Sequence, residues 1–185
     1  MAKSDADLVE LAQSGNLGAF DELMSIHQER VYALAYRMLS NSEDASDVQQ
    51  ETFVRAWKSI GKFRRDAELS TWLHRIAVNI CLSMKKRREF TVSEPLFEDS
   101  IRLSHEPCGV ATLEATETAM ALRKVMAAIP AHYRALLVLR EIEGRRFEEV
   151  ARILGCSEQS ARTRASKARK LLRERMRPYL EEEYQ

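Results

Sequence analysis

The sequence has 185 residues, a formal net charge of +1, and a hydrophobic fraction of 45%. That fraction permits a packed core and argues against a disordered chain, and the odd number of widely spaced cysteines indicates no disulfide framework. No apolar run approaches the ~20 residues that a membrane-spanning helix needs, and the N-terminus lacks a signal-peptide core. We therefore expect a cytoplasmic protein without membrane insertion.

Apolar residues recur at helical spacing through roughly the first 90 positions. The first helix has Ser4 or Asp5 as its candidate N-cap and Gly15 as its stop. Glycine and proline are both scarce, which also favours helices. In this part of the chain we predict a short helix before Gly15 and longer helices over about 17–40, 42–61 and 70–88.

Helical spacing fails over residues 89–111, which hold Pro95 and Pro107 among acidic and polar residues. A connection of this length is unusual inside one compact domain, so we expect two domains. Residues 91–116 carry one basic and five acidic side chains, whereas residues 117–185 carry 15 basic and 10 acidic ones. This asymmetry indicates a polyanionic partner for the C-terminal part.

Beyond the linker, helical spacing resumes at Thr112. One helix ends before Pro130, because the residue before a proline avoids the α conformation, and Pro130 suits the first turn of the next helix. That helix ends near Gly144. A short helix over 147–154 follows, and then a long basic helix over about 158–177 that we expect Pro178 to close.

Residues 147–177 carry the strongest pattern. A short helix, a turn containing Gly155, and a second helix that Ser157 can cap together form a helix-turn-helix. One face of the second helix is small enough to pack closely, and another carries side chains that read base edges or bind phosphate. An ordinary basic helix in a bundle is the alternative. The packing face comprises Ala161, Ala165, Ala168 and Leu172, and the reading face comprises Gln159, Arg162, Thr163, Ser166, Lys167 and Lys170.

Two earlier segments are more ambiguous. Residues 42–63 combine apolar positions with a polar, mostly acidic face, which an ordinary amphipathic helix would also show. Residues 63–88 interleave aromatic and basic side chains, which can hold single-stranded nucleic acid. The spacing of Trp72 with two isoleucines nevertheless favours a core position for its ring. The polar face comprises Asp44, Asp47, Gln50 and Glu51.

Signals for an enzyme or a metal site are poor. The sequence contains no phosphate-binding loop and no glycine-rich nucleotide fingerprint. His105 and Cys108 have a spacing that could contribute to a metal site, but two ligands in a linker are weak support for one. We expect no catalytic residue, no metal and no cofactor.

Three motifs carry a resemblance to a known family: DASDVQQETFVRAW (44–57), FRRDAELSTWLHRIAVN (63–79) and GRRFEEVARILGCSEQSARTRASKARKLLRE (144–174). In the order and spacing of these motifs, the chain resembles the extracytoplasmic-function (ECF) group of bacterial RNA polymerase sigma factors, in the sigma-70 family. The resemblance covers about residues 5–177.

The resemblance implies a role for each segment. Residues 44–57 correspond to the surface that docks on the clamp helices of the polymerase's largest subunit, and residues 63–79 to the part that melts and reads the −10 element. Residues 157–170 correspond to the −35 recognition helix, and the linker 90–112 to the segment that threads toward the polymerase active-site cleft. The implied residues are Asp47, Val48, Gln50, Glu51 and Phe53 for polymerase binding; Phe63, Arg64, Asp66, Arg75 and Asn79 for the −10 element; and Gln159, Arg162, Thr163, Ser166 and Lys167 for the −35 element.

The chain departs from the family pattern at two places. Arg65 replaces the glycine of the common FRGD sequence, so the loop geometry can differ. Residues 156–164 lack the proline and glycine that usually start the recognition helix, which leaves that start less rigid and adds Gln159 as a reader.

Together these features predict an all-α fold of two small helical domains joined by a flexible linker, the second domain containing the helix-turn-helix. The predicted boundaries are 1–89, 90–112 and 113–185. The implied partners are core RNA polymerase, promoter DNA and an inhibitory anti-sigma factor, with the free chain a monomer. The alternatives are a dimeric helix-turn-helix regulator, which leaves residues 44–79 unexplained, and an enzyme on nucleic acid, which lacks a catalytic cluster.

Overall fold

The structure, a computed structural model, describes the backbone of residues 4–91 and 117–181. Every regular element in these two ranges is helical, as the sequence predicted. The first range contains α1 (Asp5–Gln13), α2 (Leu17–Leu39), α3 (Ser42–Ser59), a 3₁₀ helix (Ile60–Lys62) and α4 (Leu69–Thr91). The second contains α5 (Glu117–Ala128), α6 (Ala131–Leu137), a π-helical turn (Val138–Ile142), α7 (Phe147–Leu154) and α8 (Glu158–Glu181).

Side-chain caps fix the starts of the first three helices. Ser4, rather than Asp5, caps α1, and its hydroxyl accepts a hydrogen bond from the Asp7 amide at 3.3 Å. Asn16 and Asn41 cap α2 and α3 in the same way. Because capping satisfies amides that have no partner within the helix, these residues set the helix boundaries locally.

The N-terminal domain is built around α2, which packs against α1, α3 and α4. Its core is aliphatic and aromatic, and several of its side chains are fully buried. Each contributing helix turns one apolar stripe inward and leaves its polar residues in solvent. Representative core residues are Leu8, Leu34, Val48, Phe53, Leu73 and Val78.

The C-terminal domain packs α8 against α5, α6 and α7. The prediction at Pro130 is confirmed, because α5 ends at Ala128 and α6 begins directly after Pro130. The prediction at Pro178 is wrong, since α8 continues through it to Glu181. The proline removes one backbone hydrogen bond near the end of the helix, and contact of Tyr179 with the core favours continuation.

The two domains contact each other directly, mainly through α4 and α7. Arg134 of α6 is almost fully buried, and its guanidinium donates a hydrogen bond of 2.7 Å to the carbonyl oxygen of Met38 at the end of α2. A cation is favourable there because a helix C-terminus presents unpaired carbonyls. Beside this contact, Arg37 pairs with Glu143. The predicted linker 90–112 lies largely outside the described residues, since α4 reaches Thr91.

Candidate nucleic-acid interface

The helix-turn-helix forms as the sequence predicted. Helix α7 ends at Leu154 and is capped by Gly155, whose φ of 64° lies in the left-handed region that glycine adopts without steric cost. Its amide donates to the carbonyl of Ala151, and the amide of Cys156 donates to the same carbonyl at 3.0 Å. The Ser157 hydroxyl then accepts from the amide of Ser160 at 3.2 Å, which caps α8.

The two faces of α8 separate as expected. The three alanines of the packing face are buried, and Leu172 is partly buried against the core. Because alanine is small, α8 approaches its neighbours closely, and the opposite face stays in solvent. The exposed residues on that face are Gln159, Arg162, Thr163, Ser166, Lys167 and Lys170.

Two of these exposed side chains are ordered by neighbours within the domain. Arg162 donates from Nε to the Glu158 carboxylate at 3.0 Å, and its guanidinium carbon lies 4.6 Å from the ring centroid of Phe147. The Thr163 hydroxyl donates to the Gln159 carbonyl at 3.0 Å. Arg162 is therefore held between the Phe147 ring and the Glu158 carboxylate, and its side chain remains exposed at the surface.

The predicted −10 residues divide between solvent and core. Arg64 and Asp66 are exposed in the loop that precedes α4, and Arg75 and Asn79 are exposed one turn apart on α4 itself. The Phe63 ring is instead buried, with its centroid 5.0 Å from that of Trp72. This contact supports the core position expected for Trp72, and it leaves Phe63 no exposed ring to stack on a base.

The loop retains the backbone shape that a glycine would permit. Arg65, which stands where the family commonly has glycine, has a φ of 57°. A residue with a Cβ seldom adopts this left-handed conformation. Its guanidinium lies 3.7 Å from the Glu10 carboxylate, so the side chain is drawn back toward α1.

The candidate polymerase-binding residues also divide. Asp47 and Gln50 are exposed on α3, and Glu51 is partly exposed and pairs with Arg55 at 2.7 Å. Val48 and Phe53 are buried in the domain core. They lie on the opposite side of the helix, so they support this surface from beneath.

Sequence reasoning misplaced one residue on this surface and missed another. Asp44 was expected on the polar face, but it is buried near the start of α3, where its amide is capped by Asn41. Val54 is 46% exposed and was not singled out. It follows Asp47 and Gln50 at positions i+7 and i+4, so helical periodicity could have identified it.

The C-terminal domain covers part of residues 63–79, the predicted −10 segment. Arg145 donates to Nδ1 of His74 at 2.8 Å and to the Ser70 hydroxyl at 3.3 Å. Arg152 donates to the Asp66 carbonyl at 3.3 Å. Burial, followed by the charge of Arg145, lowers the pKa of His74 to about 3, so the imidazole stays neutral at ordinary pH.

Cys81 does not have the character of a reactive thiolate. Burial raises the pKa of Cys81 to about 12, which keeps it as a thiol. Cys156 is half-buried in the turn before α8. The predicted weak metal pair, His105 and Cys108, lies outside the described residues. Within those residues no group of three or more potential ligands is close enough to hold a metal, and no helix is long and apolar enough to cross a membrane.

An exposed basic reading face on a capped helix-turn-helix defines the class of the C-terminal domain as a nucleic-acid-binding module. Two family models match the chain: Sigma-70 region 2 matches residues 23–91, and Sigma-70, region 4 matches residues 119–172.

Individual relatives agree with these profiles. The chain is 34% identical over 167 residues to the ECF RNA polymerase sigma factor SigM of Mycobacterium tuberculosis. The aligned region covers 90% of this chain and 82% of the relative. It is 31% identical over 189 residues to the RNA polymerase sigma-H factor of Pseudomonas aeruginosa, with 97% of each chain covered.

Two solved structures have the same fold. The sigma factor RpoE from Bartonella quintana, in complex with the anti-sigma factor NepR, gives a TM-score of 0.66 at 27% identity over 85% of this chain and 96% of that one. CnrH, in complex with the cytosolic domain of CnrY, gives a TM-score of 0.65 at 26% identity, and the match covers 89% of this chain and 92% of that one. The chain belongs to the ECF group of the sigma-70 family, whose members are transcription regulators and not catalytic enzymes.

Proposed function

We propose that this protein binds core RNA polymerase, directs it to promoters with −10 and −35 elements, and promotes opening of the DNA. The observation that carries the proposal is the presence on one chain of three exposed polar surfaces. The first lies on α3 and comprises Asp47, Gln50 and Glu51. The second comprises Arg64 and Asp66 in the loop before α4, together with Arg75 and Asn79 on α4. The third is the reading face of α8. A helix-turn-helix regulator that acts without polymerase would need only the last.

The N-terminal domain, with proposed boundaries 1–89, is the polymerase-binding and −10 domain. Asp47, Gln50 and Glu51 offer carboxylate and amide groups that suit arginine or lysine side chains of a partner, and Val54 adds an apolar contact. Arg64 and Asp66 reach a base from the loop, while Arg75 and Asn79 line the path of the separated strand.

The C-terminal domain, with proposed boundaries 113–185, reads the −35 element in the major groove. Arg162 and Lys167 suit guanine edges, whereas Gln159, Thr163 and Ser166 suit adenine or phosphate groups. The linker 90–112 carries acidic side chains that fit a segment lying in the nucleic-acid channel of the polymerase. Recognition is the role of this chain, and the synthesis of RNA belongs to the polymerase.

We also propose that an anti-sigma factor inhibits the chain in the cytoplasm until a stress or envelope signal releases it. RpoE and CnrH, which have the same fold, are found in complex with NepR and with the cytosolic domain of CnrY. The stripe on α3 and the basic face of α8 are both exposed, so both are open to a competing protein.

Run-off transcription with purified core polymerase tests the proposal. A template with intact −10 and −35 elements should give promoter-dependent RNA only when this chain is added, and permanganate should detect unpaired thymines near the −10 element. Binding to the same DNA without RNA would favour the dimeric-regulator alternative. The free chain should bind duplex DNA weakly, because its net charge is only +1.

A further inference from the structure

Gln13, the last residue of α1, is hydrogen-bonded to the backbone just before the −10 loop. Its Nε2 donates to the carbonyl oxygen of Ile60 at 3.0 Å and to that of Phe63 at 2.9 Å. Its Oε1 accepts a longer contact from Nη2 of Arg65 at 3.5 Å. One half-buried amide thus contacts both ends of the 3₁₀ helix and the loop that follows. This residue lies outside residues 23–91, the part that matches Sigma-70 region 2.

The carbonyls of Ile60 and Phe63 belong to the turn from which the loop starts. The side chains of Ile60 and Phe63 are buried, so the backbone between them is anchored on one side by the core. The amide of Phe63 already donates to the Ile60 carbonyl at 3.0 Å and closes the 3₁₀ turn. The bonds from Gln13 hold the same turn from the other side. Without Gln13 the Ile60 carbonyl keeps its bond from the Phe63 amide, whereas the Phe63 carbonyl loses the donor that Gln13 supplies, and an acceptor left unpaired is costly.

The loop that leaves this turn needs external support. Arg65 holds a left-handed backbone conformation that is unfavourable for a residue with a side chain, and such positions persist when their surroundings over-determine them. Its guanidinium contacts Gln13 and lies near Glu10, so the support comes from α1. Arg64 and Asp66, on either side of Arg65, remain exposed.

We propose that Gln13 is a positioning residue for −10 recognition, which sets the direction of the loop that carries Arg64 and Asp66 toward the DNA. The proposal rests on the proposed function of that loop. Gln13 itself contacts no base. Gln13 acts through its hydrogen bonds to the Ile60 and Phe63 carbonyls. When these bonds are lost, the loop samples orientations in which the side chains of Arg64 and Asp66 no longer converge on one base.

The decisive variant is Gln13→Glu, which keeps the shape of the side chain but removes its N–H donors. The matched control is Gln28→Glu, which adds the same negative charge at an exposed position of α2 outside the surfaces proposed to bind polymerase or DNA. Each full-length variant is assembled with core polymerase on promoters that carry 2-aminopurine at single −10 positions.

We expect Gln13→Glu to reduce the fluorescence rise at the captured base, and to reduce the preference for the best −10 sequence over single-base variants by about 10-fold or more. Gln28→Glu should match the native chain. Retention of core polymerase should not change in any variant.

Native discrimination in Gln13→Glu would overturn the proposal. An equal loss of transcription on every −10 variant, together with a lower unfolding midpoint, would also overturn it, because it would show a structural role only. If the native chain gives no promoter-dependent RNA at all, the proposed function itself is wrong. That result can be distinguished from failure of the Gln13 proposal, because it is obtained without any substitution at Gln13.

Discussion

The guanidinium of Arg162 lies 4.6 Å from the centre of the Phe147 ring and is hydrogen-bonded to Glu158 at 3.0 Å. The ring belongs to the first helix of the helix-turn-helix and the carboxylate to the first turn of the second. Both contacts restrict the rotamers of a side chain proposed to read a base, so less conformational entropy is lost when it binds DNA.

From this geometry we predict that Arg162→Ala removes discrimination at one base pair of the −35 element. A bidentate contact to guanine is worth about 1–3 kcal/mol, so the preference at that position should fall by roughly 5- to 150-fold. Lys170→Ala is the control, since Lys170 is exposed further along α8 and pairs weakly with Glu174. It should weaken binding to all −35 variants by a similar factor. The measurement is competition among −35 variants for the holoenzyme.

We next predict that Asp47→Lys and Gln50→Lys each weaken binding of core polymerase by about 10-fold or more, because a positive charge would face a basic partner surface. Glu22→Lys, at an exposed position on α2, should have little effect. Retention in a pull-down measures the change, and circular dichroism checks that the fold is intact. Native-like retention by both α3 variants would remove α3 from the polymerase interface.

The elements predicted well from the sequence depend on local signals. Helix α7 ends and helix α8 begins as predicted, because Gly155 and Ser157 supply the turn and the cap within a few residues of each other. The alanine face of α8 was equally clear, since three small residues at helical spacing have few uses other than close packing.

The sequence did not predict the location of some residues, because that location depends on distant contacts or on the direction of the side chain. Val48 and Phe53 were assigned to the polymerase interface as part of a whole segment, but they lie on the core side of α3. Their spacing with buried Ala45, Thr52 and Ala56 could have separated the two faces. Arg134 could not be identified this way, because its partner carbonyl at Met38 is 96 residues away.

A third prediction concerns the turn of the helix-turn-helix. Gly155→Ala should destabilise the folded protein by about 1–2 kcal/mol, because alanine is strained at a φ of 64° even though an added Cβ would meet open space. Gly18→Ala is the matched control, since that glycine lies within α2 and its added Cβ would make only an ordinary contact at 3.5 Å. It should stabilise the protein by about 0.5–1 kcal/mol. Urea unfolding measures both free energies, and a Gly155→Ala protein as stable as the native chain or more stable would exclude strain at this turn.

The last prediction follows from the contact between Arg145 and His74. A guanidinium can only donate, so Nδ1 of His74 must accept and the imidazole must be neutral. Burial and Arg145 lower the pKa of His74 most, His27 and Arg30 on α2 add to the effect, and Glu149 on α7 opposes it. The pKa falls from 6.5 to about 3. Between these values the unfolded chain binds a proton at this position and the folded chain does not.

The free energy of unfolding should therefore decrease as the pH falls below about 6.5, by up to ~1.4 kcal/mol per pH unit from this histidine. Glu149 contributes in the same direction only below its ordinary pKa of 4.5, because burial raises its pKa but hydrogen bonds from the Arg146 amide and the Arg145 side chain together lower it by more. The variant His74→Gln isolates the histidine, since glutamine keeps an acceptor for Arg145 but does not titrate. Urea unfolding from pH 7.5 to 4.5 should show a shallower pH dependence for His74→Gln than for the native chain. Parallel curves for the two proteins would mean that His74 is accessible to protons in the folded state, and that its contact with Arg145 does not persist in solution.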